Sequence, residues 1–188
     1  MNTERRLDRR IVIHGCSGSG KSTLGRRLST ETGLPVIELD ALFHQRDWVP
    51  ADRSAFRHEV AVALDSAERL FGGWIVDGNY GSKLDDLVSS RAQVAIWFDL
   101  PRRVVMWRII TRSLRRAAFR EELWNGNRER WRNLMKWNPE DNIIRWAWTQ
   151  HRRYHDHLID AAGAAGGPEV LRVQRQCDID RVVSAFSC

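Results

Sequence analysis

The sequence predicts an α/β fold built on five strands, and two patterns lead to this prediction. Short apolar runs alternate along the chain with longer stretches whose apolar residues recur every three or four positions. A glycine-rich turn joins the first apolar run, residues 11–13, to the first of the longer stretches, residues 22–31. With 188 residues the chain is long enough for one buried α/β core and short for two. We therefore expect a single domain over residues 1–188.

The other strands and helices follow from the same patterns. Runs rich in β-branched and aromatic residues predict strands at residues 34–39, 74–76, 94–98 and 169–173. Helical spacing predicts helices at residues 52–71, from 101 to at least 109, at 143–158 and at 179–186. Gly72 and Gly73 would end the first of these helices, and Pro101 suits the first turn of the second. Small residues at 161–168 predict a linker.

The turn after the first strand carries the P-loop pattern: a glycine, four residues, then Gly-Lys-Ser. Its glycines let backbone N–H groups point at a polyphosphate, and the following helix N-terminus adds partial positive charge. Lys21 would bridge the β- and γ-phosphates, and the Ser22 hydroxyl would ligate Mg²⁺. We therefore predict a P-loop NTPase fold that binds ATP through nine consecutive residues: Gly15, Cys16, Ser17, Gly18, Ser19, Gly20, Lys21, Ser22 and Thr23.

Two aspartates follow predicted strands. We expect Asp40 at the carboxyl end of the strand 34–39, beside the P-loop, where ligands of open α/β sheets bind; a helix N-cap is the alternative. A ribose carboxylate of a dinucleotide-binding fold is disfavoured, because such a fold has no use for Lys21. Asp77 ends the strand 74–76 and is placed to hold Mg²⁺, with a local hydrogen-bonded turn as the alternative. Gly78 would let the backbone turn away from the site.

The basic residues concentrate in the second half of the chain. The net charge of +6 is compatible with nucleic acid, a membrane surface or anionic substrates, and the nucleotide-binding loop favours the last of these. Between residues 102 and 132, ten arginines stand against three acids. In a chain that binds ATP, this run predicts an arginine-rich helical lid over the phosphates, whereas a solvated helix face is the alternative.

Five tryptophans lie between residues 121 and 148, and they leave a second partner open. Tryptophans interleaved with arginines can stack on bases, which favours nucleic acid, although packing of the lid helices is the interpretation that we prefer. Three histidines on the helix 143–158 suggest a partly exposed surface, because no carboxylate or cysteine pattern accompanies them. The tryptophans are Trp124, Trp131, Trp137, Trp146 and Trp148, and the histidines are His151, His155 and His157.

Cysteine usage and the apolar runs predict a cytoplasmic protein. The three cysteines, Cys16, Cys177 and Cys188, have no metal-binding spacing and make an odd number, which fits a reducing compartment. The first ten residues contain no signal-peptide core, and no apolar run approaches the length of a membrane span. We expect no membrane partner. The oligomeric state is not predicted.

These motifs together resemble the adenylate-kinase-like group of P-loop kinases, and within it the topology modulation proteins. The resemblance implies a five-stranded parallel sheet flanked by helices, with ATP and Mg²⁺ as cofactors. It also implies an acceptor-binding segment at about residues 41–72 and a lid at about residues 112–150. The acceptor would contact Asp40, Phe43, Trp48, Arg57, Asn79 and Tyr80. The segments that carry the resemblance are residues 15–23, 39–43, 48, 76–80, 99–101, 122–129 and 144–148.

Departures from the adenylate kinase pattern bear on the acceptor. The arginines with which adenylate kinases grip the AMP phosphate correspond to Phe43 and Gly81 in this chain. An anionic phosphate acceptor needs guanidinium contacts and no base, whereas an alcohol needs a carboxylate that receives its proton. Asp40 is retained, which favours a hydroxyl acceptor, although Arg46, Arg53 or Arg57 could replace the missing arginines. Arg108 and Arg112 resemble the lid arginines that hold ATP phosphates, and Arg152 or Arg153 could complete the clamp.

The sequence therefore predicts an ATP-dependent phosphotransferase that acts on a hydroxyl of a nucleoside, sugar or specialised metabolite. Lys21 and Arg112 would stabilise the transferring phosphoryl group, Ser22 and Asp77 would hold Mg²⁺, and Asp40 would act as the base. The alternatives are a nucleoside monophosphate kinase and a nucleic-acid-binding ATPase. A GTPase switch is disfavoured, because the chain contains no Asn-Lys-x-Asp element.

Overall fold

A computed structural model of the chain describes residues 9–119, 122–127 and 167–187. Within these residues, five strands form one sheet: β1 (Arg10–Gly15), β2 (Val36–Glu38), β3 (Trp74–Asp77), β4 (Val94–Phe98) and β5 (Glu169–Val173). The strand order is β2-β3-β1-β4-β5, and every neighbouring pair is parallel. The predicted five-stranded α/β fold is thus confirmed.

Helices connect the strands in the described ranges. They are α1 (Lys21–Thr32), α2 (Leu39–Phe43), α3 (Arg53–Phe71), α4 (Gly81–Leu84), α5 (Arg102–Phe119) and α6 (Gln176–Phe186). Two 3₁₀ turns, Arg46–Trp48 and Trp124–Gly126, lie in the connections. None of the described helices combines the length and the apolar character needed to cross a bilayer.

Two apolar layers enclose the sheet. The side chains of β1 alternate between them: Ile11 and Ile13 pack with residues of α1, α5 and α6, and Val12 packs with residues of α3. Every residue of β3 and β4 is buried. A parallel strand covered on both faces reads as a continuous apolar run, which is why these strands were recognisable from sequence.

The second strand is shorter than predicted, so Asp40 lies just beyond it in a short helix and not at the end of the strand. β2 ends at Glu38, which pairs with Asp77, the last residue of β3. β3 offers no further residue with which β2 could pair, so the strand ends there and the chain continues as α2. Asp40 lies in the first turn of that helix. β2 also forms the edge of the sheet, so β3, and not β2, adjoins the strand of the P-loop.

Helix boundaries depart from prediction in smaller ways. α3 begins one residue later than predicted, because the Asp52 carboxylate caps it by accepting the backbone N–H groups of Ser54 and Ala55. α6 begins three residues earlier, where Asp178 accepts the backbone N–H groups of Gln174 and Arg175. The Ser54 hydroxyl, which donates to Asp52 Oδ1 at 2.6 Å, and then the backbone N–H groups lower the pKa of Asp52, and the two backbone N–H groups lower that of Asp178.

Much of the predicted lid, about residues 112–150, lies outside the described residues. So do the predicted helix 143–158, Arg152, and the tryptophans and histidines of that region other than Trp124. The end of α5 and residues 122–127 are described. The proposed roles of the remainder stay predictions.

Candidate active site

The P-loop connects β1 to α1 and ends at Gly20, the residue that precedes the first turn of the helix. The Lys21 ammonium folds back over the loop and donates to the carbonyls of Gly15 at 2.7 Å and Cys16 at 3.0 Å. The N-terminus of α1 follows the loop directly, and the first backbone N–H groups of a helix, which have no partner within it, are suited to bind phosphate.

Helix α5 packs directly on the P-loop, and Gly18 permits this contact. Gly18 has φ +77°, and a Cβ there would lie 2.6 Å from Cγ1 of Ile109. Because α5 approaches so closely, two of its arginines reach the loop: Arg108, immediately before Ile109, and Arg112, about one turn after it. Arg108 donates to the Ser19 carbonyl at 3.0 Å, and Arg112 donates to Ser17 Oγ at 2.8 Å. The structure thus brings two of the predicted phosphate-binding arginines to the loop.

Ser22 and Asp77 form the predicted metal-binding pair. The Ser22 hydroxyl donates to Asp77 Oδ2 at 2.5 Å, so two oxygen ligands from α1 and β3 meet beside the loop. The described residues contain no group of three or more His, Cys, Asp or Glu side chains that could hold a metal by themselves. A hydroxyl and one carboxylate fit Mg²⁺, which uses few protein ligands and takes the rest from phosphates and water.

Burial sets the electrostatics around Lys21. Burial lowers the pKa of Lys21, and the negative charges of Asp77 and Asp40 act in the opposite direction. Burial also raises the pKa of Asp77, against the effect of the Lys21 charge and the Ser22 hydrogen bond. The pKa of the Cys16 thiol is raised to about 11 for the same reason. Burial thus disfavours the charged forms of all three groups, while the opposite charges of Lys21 and Asp77 support each other.

Asp40 is held on the side of the site opposite α5. Tyr80 Oη donates to Asp40 Oδ1 at 2.6 Å, and His44 Nε2 lies 3.4 Å from the same Oη. Burial lowers the pKa of His44, which favours the neutral imidazole, while the charge of Asp40 acts against this. Phe43 and Phe56 pack against the Tyr80 ring, with centroids 4.9 and 5.2 Å away. The carboxylate is thus oriented by a tyrosine that is itself fixed by packing.

Close packing at Gly78 brings this carboxylate toward the loop. Gly78 follows β3 directly and has φ +148°, and a Cβ there would lie 2.9 Å from Leu39 Cβ. A side chain at Gly78 would therefore push α2, which carries Asp40, away from the end of β3. The influence of Asp40 on both Lys21 and Asp77 reflects this proximity.

Asn79, which the sequence places at the acceptor site, binds the start of the P-loop in this structure. Its Nδ2 donates to the Gly15 carbonyl at 2.5 Å, and its Oδ1 accepts the Gly15 N–H at 3.1 Å. His14 Nδ1 lies 3.4 Å from the same Oδ1. The amide therefore fixes both backbone groups of the residue at which the loop leaves β1.

The contacts of Asn79 predict a loss of ATP affinity in Asn79→Asp. A carboxylate keeps the size of the side chain but has no N–H for the Gly15 carbonyl, and it adds negative charge beside the phosphate site. We expect the Kd for a fluorescent ATP analogue to rise about tenfold, from the hydrogen bond lost and the repulsion gained.

Gln93→Glu is the matched control for Asn79→Asp. Gln93 Oε1 accepts the backbone N–H groups of Arg9 and Arg10, so a carboxylate preserves both contacts. An unchanged Kd in Asn79→Asp would contradict the positioning role of Asn79.

Other residues predicted at the acceptor site are engaged differently. Phe43 is buried in the apolar layer with α3. Arg57 donates to the Leu84 carbonyl at 2.6 Å and pairs with Asp85 at 2.6 Å. Arg53 pairs with the same carboxylate at 2.7 Å. Two of the three arginines that could replace the missing phosphate clamp are therefore held by one aspartate beside α4.

Trp48 and the exposed Arg46 lie in the 3₁₀ turn that follows α2. The Trp48 ring contacts His44 edge-on, with centroids 5.4 Å apart. The backbone N–H of Trp48 donates to Asn127 Oδ1 at 2.8 Å. The sequence assigned no role to His44 or Asn127. Asn127 lies within residues 122–129, one of the segments that carry the family resemblance, and in an Asn-Gly-Asn run, residues 125–127, which predicts a turn.

The buried carboxylate of Asp77 predicts a stability gain in Asp77→Asn. Between the usual carboxyl pKa and the raised pKa of Asp77, the folded state keeps a proton that the unfolded chain has released. The free energy of unfolding therefore falls as pH rises through this window. Without nucleotide, Asp77→Asn should have the higher Tm at pH 7, by about 2–4 °C for each kcal/mol recovered. The difference should vanish near pH 3.

Thermal scans with and without Mg²⁺ and ATP complete this comparison. Mg²⁺ with ATP should raise the Tm of the wild type and leave that of Asp77→Asn nearly unchanged, because ligands stabilise only the state that binds them. A Tm at pH 7 below that of the wild type would show that Asp77 stabilises the fold, against this account.

The chain resembles known kinases in sequence. A family model for shikimate kinase matches residues 17–59, from the P-loop into α3. The shikimate kinase of Corynebacterium diphtheriae is 30% identical over 103 residues, which are 48% of this chain and 56% of that enzyme. The chain thus spans little more than half the length of this relative. Both matches support the kinase class that the sequence predicts.

Solved structures resemble the chain in fold. A shikimate kinase from Bacteroides thetaiotaomicron has a TM-score of 0.53 at 14% identity and covers 94% of this chain and 95% of its own. A sugar kinase from Janibacter sp. HTCC2649 has a TM-score of 0.53 at 17% identity, covering 96% and 99%. A gluconokinase from Sinorhizobium meliloti 1021 has a TM-score of 0.51 at 16% identity, covering 97% of each chain. At these identities the likeness establishes the P-loop kinase fold alone.

Proposed function

We propose that this protein is an ATP-dependent phosphotransferase that moves the γ-phosphoryl group to a hydroxyl of a small molecule. The observation that carries the proposal is the position of Asp40. This carboxylate is oriented by Tyr80 at 2.6 Å and lies close enough to Lys21 for its charge to affect the pKa of the lysine. A carboxylate near the γ-phosphate position can receive the proton of an attacking alcohol.

The residues of the P-loop would bind the donor. Lys21 would exchange its contacts with the Gly15 and Cys16 carbonyls for phosphate oxygens, and the α1 N-terminus would add its backbone N–H groups. Ser22 and Asp77 would hold Mg²⁺, which when bound neutralises charge on the β- and γ-phosphates. Arg108 and Arg112 would stabilise the charge on the transferring group from the side of α5.

A hydroxyl acceptor is favoured over a nucleoside monophosphate. The two positions at which adenylate kinases carry phosphate-gripping arginines hold Phe43, which is buried, and Gly81, which has no side chain. Arg53 and Arg57 are both paired with Asp85. Arg46 is the remaining candidate among the three, and it could replace only one of the two arginines with which adenylate kinases grip a phosphate acceptor.

The sequence relatives support the same reaction class. Shikimate, the substrate named for the matched family and relative, is an alcohol, and the family match includes Asp40. In this proposal the acceptor binds against residues 41–72, and residues 112–150 cover the phosphates within one domain. We also propose that the chain is related to the topology modulation proteins within this group of kinases and that it acts in the cytoplasm.

An acceptor panel tests the proposal. Purified protein with Mg²⁺ and ATP would be incubated separately with shikimate, gluconate, hexoses, nucleosides, AMP, CMP, GMP and UMP, while ADP formation is followed. We expect ADP formation to depend on a hydroxyl compound. Turnover with any of the monophosphates would overturn the hydroxyl assignment. ATP hydrolysis stimulated only by nucleic acid, with an affinity that falls steeply with salt, would favour the ATPase alternative.

A further inference from the structure

Residues 122–127, which follow α5, dock on the segment that carries Asp40. The Trp124 indole N–H donates to Glu38 Oε2 at 2.6 Å, immediately before α2. Asn125 Nδ2 donates to the carbonyls of Ala41 at 3.0 Å and His44 at 2.7 Å, at the other end of α2. One turn of chain therefore contacts both ends of the helix that presents Asp40.

Helix α2 needs such contacts. It has only five residues, Leu39–Phe43, and an isolated helix of this length is unstable because its nucleation cost is not repaid. Its last carbonyls have no partner within the helix, and Asn125 satisfies one of them, that of Ala41. The position of Asp40 thus depends on a residue 85 positions away in the chain.

Asn127 holds the turn after α2 in the same way. Its Nδ2 donates to the Gln45 carbonyl at 2.8 Å, and its Oδ1 accepts the backbone N–H of Trp48 at 2.8 Å. Asn127 is 3% exposed, so water has little access to replace these bonds. Asp47 and Trp48 both have positive φ, 59° and 60°, an unfavourable conformation that persists only where neighbouring contacts support it. Asn127 supplies such a contact.

We propose that Asn125 and Asn127 are positioning residues of the acceptor site, which hold residues 41–48 through their side-chain amides and thereby fix Asp40. The inference rests on the proposed function, in which Asp40 is the base. It assigns the turn at 122–127 to the acceptor side of the site, separate from the phosphate-binding role expected of the lid arginines. Asp40 is then held from two directions, by Tyr80 and by this turn.

Hydrogen exchange measured by mass spectrometry tests the inference without an acceptor. In Asn125→Asp the exposed side chain keeps its size but loses both donated hydrogen bonds. Amides of residues 39–51 should then exchange about tenfold faster, as expected for two net hydrogen bonds. Asn127→Asp should also speed exchange there, because it loses the bond to the Gln45 carbonyl and places a carboxylate at a position that is 3% exposed. The Kd for a fluorescent ATP analogue should stay within about twofold of wild type, because neither residue contacts the P-loop.

Gln93→Glu is again the matched control, since it adds the same charge without losing a hydrogen bond. Unchanged exchange at residues 39–51 in Asn125→Asp would overturn the inference. Faster exchange over the whole sheet would also overturn it, because that pattern indicates general destabilisation.

A kinetic comparison separates positioning from stability alone. With the hydroxyl compound that gives turnover in the acceptor panel, Asn125→Asp should lower kcat about tenfold and leave the KM for ATP unchanged. Wild-type kcat in a variant with faster local exchange would overturn the role in fixing Asp40. Failure of the proposed function has a different signature: the wild type would phosphorylate no hydroxyl compound, whereas the exchange pattern does not depend on that result.

Discussion

Replacement of Lys21 by alanine is expected to lower the rate of phosphoryl transfer by about 10²–10³, the usual loss when one preorganised contact to developing charge is removed. Lys21 is the ammonium that folds over the P-loop, and it lies beside both candidate carboxylates. The measurement is kcat/KM for ATP in the coupled assay for ADP, with the acceptor at a fixed concentration.

Arg26→Ala is a suitable control for Lys21→Ala. Arg26 lies on the same helix, α1, and its side chain is exposed. Its loss should change kcat/KM by less than about twofold, because an exposed charge away from the site contributes little. If Lys21→Ala kept more than a tenth of the wild-type kcat/KM, Lys21 would not have the proposed role in stabilising the transferring phosphoryl group.

Asp40→Asn should lower kcat by about 10²–10⁴, the range typical of a lost general base. The amide can still accept the Tyr80 hydroxyl hydrogen bond but cannot take up a proton from an alcohol. The affinity for ATP, measured with a fluorescent analogue, should change little, since Asp40 contacts neither the P-loop nor the Ser22–Asp77 pair in the described hydrogen bonds.

Asp65→Asn provides the matched control for this substitution. Asp65 is an exposed carboxylate of α3 paired with Arg91 at 2.6 Å, and its neutralisation should leave kcat unchanged. If Asp40→Asn kept wild-type kcat with intact ATP binding, Asp40 would not be the base.

The buried strands and the P-loop could be predicted from sequence because their signals are local. β1, β3 and β4 are covered on both faces and therefore read as uninterrupted apolar runs. The extent of β2 could not be predicted in this way. It is set by the end of its partner β3, and the flanking apolar residues Leu34 and Leu39 are buried without belonging to the ladder.

The roles of individual site residues depended on contacts over long sequence distances. Asp40 was recognised as a candidate, but its place in α2 follows from the pairing of β2 with β3. Asn79 was expected to contact an acceptor, and its side-chain amide forms hydrogen bonds with the backbone of Gly15, 64 residues earlier. Arg57 forms an ion pair with Asp85, 28 residues later. Local pattern identifies residue types suited to the chemistry, whereas their partners are chosen by the packing of the whole fold.

Mass spectrometry of a metabolite pool tests the central claim most directly. The protein would be incubated with a cell extract of small molecules, Mg²⁺ and ATP, beside a Lys21→Ala sample that corrects for contaminating kinases. The account predicts a hydroxyl compound that becomes heavier by one phosphoryl group in the wild-type sample and remains unchanged in the variant sample. Conversion of a nucleoside monophosphate to its diphosphate, or ATP hydrolysis without any phosphorylated product, would contradict it.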